Sequence, residues 1–177
     1  MAGTLHAPAP IMTTKADRRE PEIRELAPQP TVCVRVSEPT SRLAELFDEL
    51  LPLVAERVAD LGGQTAGPPY GRYHDYTAEH VDVEIGIPVV APVGNLPTAE
   101  EAPPGELATG ELPGGQAAIV QHMGSYGSLN ETYGALESWL QQHGHRAGAG
   151  PWESYIDDPS EVEDDSRLRT EVVWPLD

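Results

Sequence analysis

The stretch His122-Met123-Gly124-Ser125-Tyr126-Gly127-Ser128-Leu129-Asn130-Glu131-Thr132-Tyr133 decides the fold, because an earlier stretch repeats its pattern. Val36-Ser37-Glu38-Pro39-Thr40-Ser41-Arg42-Leu43-Ala44-Glu45-Leu46-Phe47 lies over it at a constant offset of 86 residues, setting Leu43 against Leu129 and Phe47 against Tyr133. Each copy runs from an apolar strand pattern, through small punctuating residues, into helical spacing. The preceding runs, Thr31 to Val36 and Gln116 to His122, read as strands. In the first copy Thr40 or Ser41 can cap a helix, with Glu45 as acid in the first turn. Leu43, Leu46, Phe47, Leu50, Val54, Val58 and Leu61 then share one helical face. Pro52 is expected to bend that helix slightly, and Gly62-Gly63 to end it. In the second copy Ser125 or Ser128 starts a helix bearing Leu129, Tyr133, Leu136 and Leu140 on one face, with Trp139 beside it, until Gly144.

The repeat extends outward from there. Pro68-Pro69-Tyr70 lies over Pro151-Trp152-Glu153 at an offset of 83, and Glu84-Ile85-Gly86-Ile87-Pro88 over Glu171-Val172-Val173-Trp174-Pro175 at 87. Residues 67–76 read as a polar, aromatic strand, and Val81 to Val89 alternates strongly and pairs back on it. Trp152 to Asp158 and Leu168 to Pro175 read as the matching strands of the second half. Leu107 to Leu112 precedes a tight turn at Pro113-Gly114-Gly115, and residues 91–105 and 159–166 read as loops. Each half is therefore strand–helix–strand–strand. The expected fold class is α+β: two modules, about residues 30–90 and 105–177, related by a pseudo-two-fold axis. Together they form a curved antiparallel sheet backed by two helices, with a ligand groove between the modules. Residues 1–29, rich in Pro and Ala, lack an apolar face and are expected to be a mobile N-terminal tail with a strand start near its end.

Composition removes several function classes. Acidic residues number 29 against 11 basic ones, a net charge of −18. The tail carries four of each sign, so the whole excess belongs to residues 30–177. Such a surface repels nucleic acid and anionic membranes; it suits cationic ligands or a basic protein partner. No apolar run approaches the ~20 residues of a membrane span, and no signal peptide is evident. The single cysteine, Cys33, lies in an apolar run and reads as core, which fits a reducing, cytoplasmic setting. His143-Gly144-His145 reads as a helix end rather than a metal site. The acidic run at Glu161, Glu163, Asp164 and Asp165 lacks a calcium-loop pattern. No phosphate loop or nucleophile elbow is present, so neither metal nor cofactor is expected.

Four motifs in order carry a family resemblance: Leu112-Pro113-Gly114-Gly115, His122-Met123-Gly124-Ser125-Tyr126, Pro151-Trp152-Glu153-Ser154-Tyr155 and Thr170-Glu171-Val172-Val173-Trp174-Pro175. Over residues 30–177 the chain resembles the GyrI-like small-molecule-binding domain, also called the AraC-type effector-binding domain. The resemblance implies a ligand groove between the modules, with the family's ligand-contacting glutamate falling on Glu153. Such families include drug-sensing ends of transcription regulators, stand-alone binding proteins, gyrase inhibitors, and hydrolases of cyclopropane-bearing DNA-alkylating products. No DNA-binding segment is read ahead of the module, so a stand-alone member, acting alone or through a partner, is expected.

The residues themselves support a cation site. A carboxylate among Tyr and Trp faces suits a lipophilic cation, since each ring face adds roughly 0.5–2 kcal/mol of attraction. Candidate wall residues are Tyr70, Tyr73, Trp152, Tyr155 and Trp174, with His122 and Tyr126 mainly holding the helix start and ligand contact second for them. Strand alternation puts Glu153, Tyr155 and Asp157 on one face and Trp152, Ser154 and Ile156 on the other. Tyr155 is therefore preferred over Trp152 as Glu153's neighbour. The same residues also fit a hydrolase, with Glu153 as general base and a hydroxyl from Tyr155 or Tyr126 polarising a substrate carbonyl. A third reading is an acidic interaction module for a basic partner such as gyrase or a transcription factor.

Overall fold

The computed structural model describes residues 20–177, and the expected mobile tail over residues 1–19 lies outside them. Eight strands and two long helices follow in the order β1 (Glu22–Leu26), β2 (Gln29–Pro39), α1 (Leu43–Asp60), β3 (Tyr70–Tyr76), β4 (His80–Pro88), β5 (Leu107–Leu112), β6 (Gly115–Met123), α2 (Leu129–Gln142), β7 (Trp152–Tyr155) and β8 (Arg169–Pro175). One sheet contains all eight strands in the order β1-β6-β8-β7-β3-β4-β2-β5, every neighbouring pair antiparallel. The order is a palindrome of the two modules about the β7–β3 junction, as the α+β repeat requires.

β1 falls within the segment expected to be tail, so the ordered domain begins earlier than residue 30. Its reason is an exchange between the modules. β1 runs almost directly into β2 yet pairs with β6, while β5 runs into β6 yet pairs with β2. The two pairings keep one register, from Glu22↔Ile119 through Leu26↔Gly115 and Gln29↔Leu112 to Val34↔Leu107. The long ribbon so formed draws the two ends of the sheet together and curls it.

Three apolar clusters follow from this geometry. α1 buries Leu46, Val54 and Val58 against Val32, Val34, Val36, Val81, Val83 and Ile85 of β2 and β4. α2 buries Leu129, Leu136 and Leu140 against Ala118, Val120 and Val172 of β6 and β8. The third cluster lines the concave face of the curl, where Tyr70 and Trp152 pack with Leu112, Ala117, Ile119 and Val173. Pro52 lies inside α1, and a short 3-10 turn precedes each helix, at Thr40–Arg42 and Tyr126–Ser128. Neither Pro39 nor Ser125 caps its turn through a side chain, and none is formed at Ser128. His122 does the tying instead: Nε2 donates to the Ser125 carbonyl at 3.0 Å and Nδ1 shares a 2.7 Å hydrogen bond with Thr132 of α2. Among the described residues no helix is long and apolar enough to cross a membrane.

Gly86 of β4 lets the aromatic floor form. A Cβ there would lie 2.6 Å from the Val32 carbonyl, 2.8 Å from Cys33 Cβ and 2.9 Å from the Tyr70 ring. Gly86→Ala is expected to lower stability by about 1–3 kcal/mol through overpacking, read as a lower urea midpoint at unchanged slope. An unchanged midpoint would mean that β2 and β4 part without cost.

Candidate functional site

The site grows from the junction of the modules. β3 and β7 meet there with Gly71↔Glu153 as the central pair, flanked by Tyr70↔Ser154 and Arg72↔Trp152. Two reciprocal bonds fix the symmetry: the Tyr73 amide donates to the Pro151 carbonyl and the Tyr155 amide to the Pro69 carbonyl, both at 2.9 Å. Gly71 is thus the counterpart of Glu153, Tyr70 of Trp152, and Tyr73 of Tyr155. The sequence alignment at an offset of 83 differs from this by one residue, and in a strand one residue changes the face. Tyr70 and Trp152 accordingly lie together on the concave face, 0% and 4% exposed, away from Glu153. Glu153, Tyr155 and Tyr73 share the helix-covered face.

Glu153 is only 5% exposed. Its Oε2 accepts hydrogen bonds from the Tyr155 hydroxyl at 2.6 Å and the Tyr73 hydroxyl at 3.3 Å. The pseudo-symmetric pair of tyrosines therefore converges on one carboxylate beside the axis. Across the axis Gly71 leaves the space they need: a Cβ there would come 2.5 Å from the Phe47 ring and 3.1 Å from the Tyr155 hydroxyl. Phe47 of α1 meets Tyr155 edge-to-face at 5.3 Å, and Tyr126 meets it from the second module at 5.6 Å. Tyr133 of α2 brings a third hydroxyl close to Glu153; that hydroxyl is buried and makes no well-formed hydrogen bond. Trp174 backs the Tyr133 ring at 5.8 Å and donates its indole N–H to the Gly148 carbonyl at 3.0 Å, so it buttresses the wall. Tyr76 stands outermost, 5.9 Å from Tyr73.

Of the candidates named from sequence, Tyr73, Tyr126 and Tyr155 thus gather around Glu153, Trp174 stands one ring behind, and Tyr70 and Trp152 face the other way. Phe47, Tyr133 and Tyr76 were not singled out. The repeat held a signal for the first two, since it pairs Phe47 with Tyr133 on the helix face turned toward the axis.

Electrostatics single out Glu153. Burial pushes its carboxyl above the usual carboxylate range, and the hydroxyls of Tyr155, Tyr133 and Tyr73 pull it partly back. Burial, and then the charge of Glu153, hold the Tyr73 and Tyr155 hydroxyls far above their ordinary values, so they act as neutral donors. The carboxylate meets tyrosine hydroxyls and, among the described residues, no cationic side chain. On the concave face a second buried carboxylate, Glu84, is 3% exposed and is compensated: His74 Nε2 lies 3.1 Å from its Oε2, and the Tyr70 hydroxyl donates to its Oε1. Cys33 is buried beside it, and burial followed by the charge of Glu84 pushes the thiol far up, which leaves it without nucleophilic character. His143 and His145 stack along Trp139 at 4.1 and 6.1 Å.

A family model described as GyrI-like small molecule binding domain matches residues 19–177. No curated protein sequence matches the chain. Among solved structures, EcmrR in its DNA complex superposes with a TM-score of 0.75 at 21% identity, over 97% of this chain and 63% of that one. The present chain therefore spans less than two thirds of EcmrR's length. SAV2435 bound to tetraphenylphosphonium matches with a TM-score of 0.57 at 14% identity, over 89% of this chain and 94% of that one. A hydrolase from Listeria innocua matches at 0.61 and 14% identity, over 96% and 98% of the two chains. At these identities the likeness is one of fold.

Proposed function

This chain belongs to the GyrI-like small-molecule-binding domain family, and from that premise we propose that it binds hydrophobic, often cationic, molecules in the groove centred on Glu153. The observation that carries the reading is the missing counter-charge. A buried carboxylate without a cationic partner costs the fold several kcal/mol. Glu153 is such a carboxylate, held by hydroxyl groups alone and walled by aromatic rings. A lipophilic cation entering the groove supplies the absent charge and offers its own apolar surface to Phe47, Tyr73, Tyr126 and Tyr155. The tetraphenylphosphonium held by SAV2435, a neighbour in fold, is a ligand of this chemistry.

The test is a calorimetric titration with tetraphenylphosphonium and with triphenylphosphine oxide, a neutral compound of related shape. Saturable one-to-one binding, with the cation at least tenfold tighter, is expected. Equal affinity for the two would remove the counter-charge from the account.

A second reading has its own support. The raised carboxyl of Glu153 and the Tyr155 hydroxyl 2.6 Å from it are a general base beside a hydrogen-bond donor. In that reading Glu153 takes a proton from water as the water oxygen attacks a cyclopropane carbon. The opened ring bond's electron pair moves into the substrate's conjugated carbonyl. As Glu153 gains the water proton its bond to Tyr155 reverses, the Tyr155 hydroxyl turns to donate to that oxygen, and the proton on Glu153 passes on to the enolate to complete the ring-opened alcohol. Incubation with a cyclopropane-bearing alkylator, followed by mass spectrometry, separates the readings: product over many turnovers makes the protein a hydrolase, and recovery of intact alkylator makes it a binding protein.

A further inference from the structure

The strand that borders the groove carries an irregularity whose anchor lies on the opposite face. β3 pairs regularly with β4 as far as Tyr73↔Val83 and resumes at Asp75↔Asp82 and Tyr76↔Val81. His74 is the extra residue of a β-bulge. In a regular strand, residues three apart point to opposite faces. The inserted residue changes that, so Tyr76 stands opposite Val81 as Tyr73 stands opposite Val83. Val81 and Val83 both belong to the core under α1, which places both tyrosines on the helix side of the sheet. Their rings meet edge-to-face at 5.9 Å, and Tyr73 continues the contact to Glu153. Tyr76 remains 58% exposed at the rim.

The bulged residue itself is held inside the curl. His74 reaches Glu84 at 3.1 Å, and Glu84 is tied in turn to Tyr70, which shares a 2.9 Å hydrogen bond with Thr31 of β2. The side chain that interrupts the ladder is thus fixed to three strands. We propose that His74 is a positioning residue for the groove: anchored by Glu84, it holds the bulge that turns Tyr76 toward the ligand, and Tyr76 forms the outer aromatic wall for a bulky lipophilic cation. The inference rests on the Glu153-centred reading above.

The test uses the full chain and tetraphenylphosphonium, titrated into wild type, His74→Ala, Tyr76→Ala and the double variant. Each single substitution is expected to weaken binding by about tenfold, the worth of one cation–aromatic contact. The double variant is expected to be no weaker than the weaker single, because His74 acts through Tyr76. His74→Gln, whose amide can still donate to Glu84, is expected to bind within about twofold of wild type, a rescue that the bond to Glu84 demands. Losses that multiply in the double variant, or a His74→Gln as weak as His74→Ala, overturn the proposal. Should His74→Ala fail to fold, His74→Asn, whose amide falls short of Glu84, takes its place in the same cycle. If wild type does not bind the cation, the Glu153 reading fails, and Tyr76→Trp then decides the positioning claim separately. Its difference emission and acrylamide quenching must change when His74 is replaced by Ala or Asn, and an unchanged spectrum overturns it.

Discussion

Glu153→Gln will weaken tetraphenylphosphonium binding by about two orders of magnitude, leave a neutral ligand of the same shape within about threefold, and raise the melting temperature at pH 7. The affinity term follows from one unit charge. A cation held roughly 4–5 Å from a carboxylate in a partly desolvated site gains about 3–4 kcal/mol at an effective dielectric constant near 20, which is two to three powers of ten in affinity. Glutamine keeps an oxygen for the Tyr73 and Tyr155 hydroxyls, so the walls stay in place. A neutral ligand feels only those walls. The stability term has the opposite sign. Burial raises the folded-state carboxyl of Glu153 above its unfolded value. Its contribution to stability is therefore fully present below the unfolded value and is lost as pH rises through the folded one. At neutral pH the wild type bears that loss, and glutamine does not. Calorimetry with both ligands and a melt at pH 7 read all three effects. Equal losses for charged and neutral ligands would sink the counter-charge, and a lower melting temperature would sink the claim that the charge is held against the fold.

The modules were legible because helices announce themselves in a single chain. Leu43 to Val58 and Leu129 to Leu140 repeat one spacing at one offset, and the palindromic strand order then follows from symmetry. The exchanged ribbon was not legible. β1 and β5 are short, exposed in part, and pair with the module to which they are not joined, a long-range choice that local pattern does not contain. The site was half legible for a sharper reason. Pro68-Pro69 offers two ways to match Pro151, and the sequence alignment took the first. The reciprocal bonds of Pro69 and Pro151 select the second. That single residue moves Tyr70 from the face of Glu153 to the concave face and leaves Gly71 opposite Glu153. The parity argument within β7, which needs no alignment, put Tyr155 beside Glu153 and Trp152 on the opposite face. Tyr76 was not legible either, because nothing in residues 67–76 signals the bulge at His74 that brings it round to the face of Tyr73.

The contrast between the two buried carboxylates gives the second large effect. Glu84→Ala is expected to cost about 3–5 kcal/mol, the range for breaking a buried charged pair by removing one partner, and so a large share of the ~5–15 kcal/mol that holds a domain folded. The substitution leaves the Tyr70 hydroxyl and the inward imidazole of His74 without their common acceptor in the middle of the sheet. Burial alone would raise the Glu84 carboxyl, but the bonds from His74 and Tyr70, together with the charges of His74 and Arg72, outweigh it and hold the group below its ordinary value. The pH dependence therefore runs opposite to that of Glu153. Stability from Glu84 is present above the unfolded glutamate value of about 4.3 and is lost as pH falls through the folded one. Urea melts between pH 3 and 7 should show wild type losing stability at the acid end and Glu84→Ala losing less there, on a curve displaced downward throughout. The displacement should shrink toward pH 3. A uniform displacement would mean that Glu84 contributes through packing, and a loss under about 1 kcal/mol would mean that its partners find other acceptors. The two carboxylates differ in what stands opposite them: Glu84 brings its compensation from β3, while Glu153 faces Gly71 across the axis, and on the proposed function its matching charge comes from the ligand.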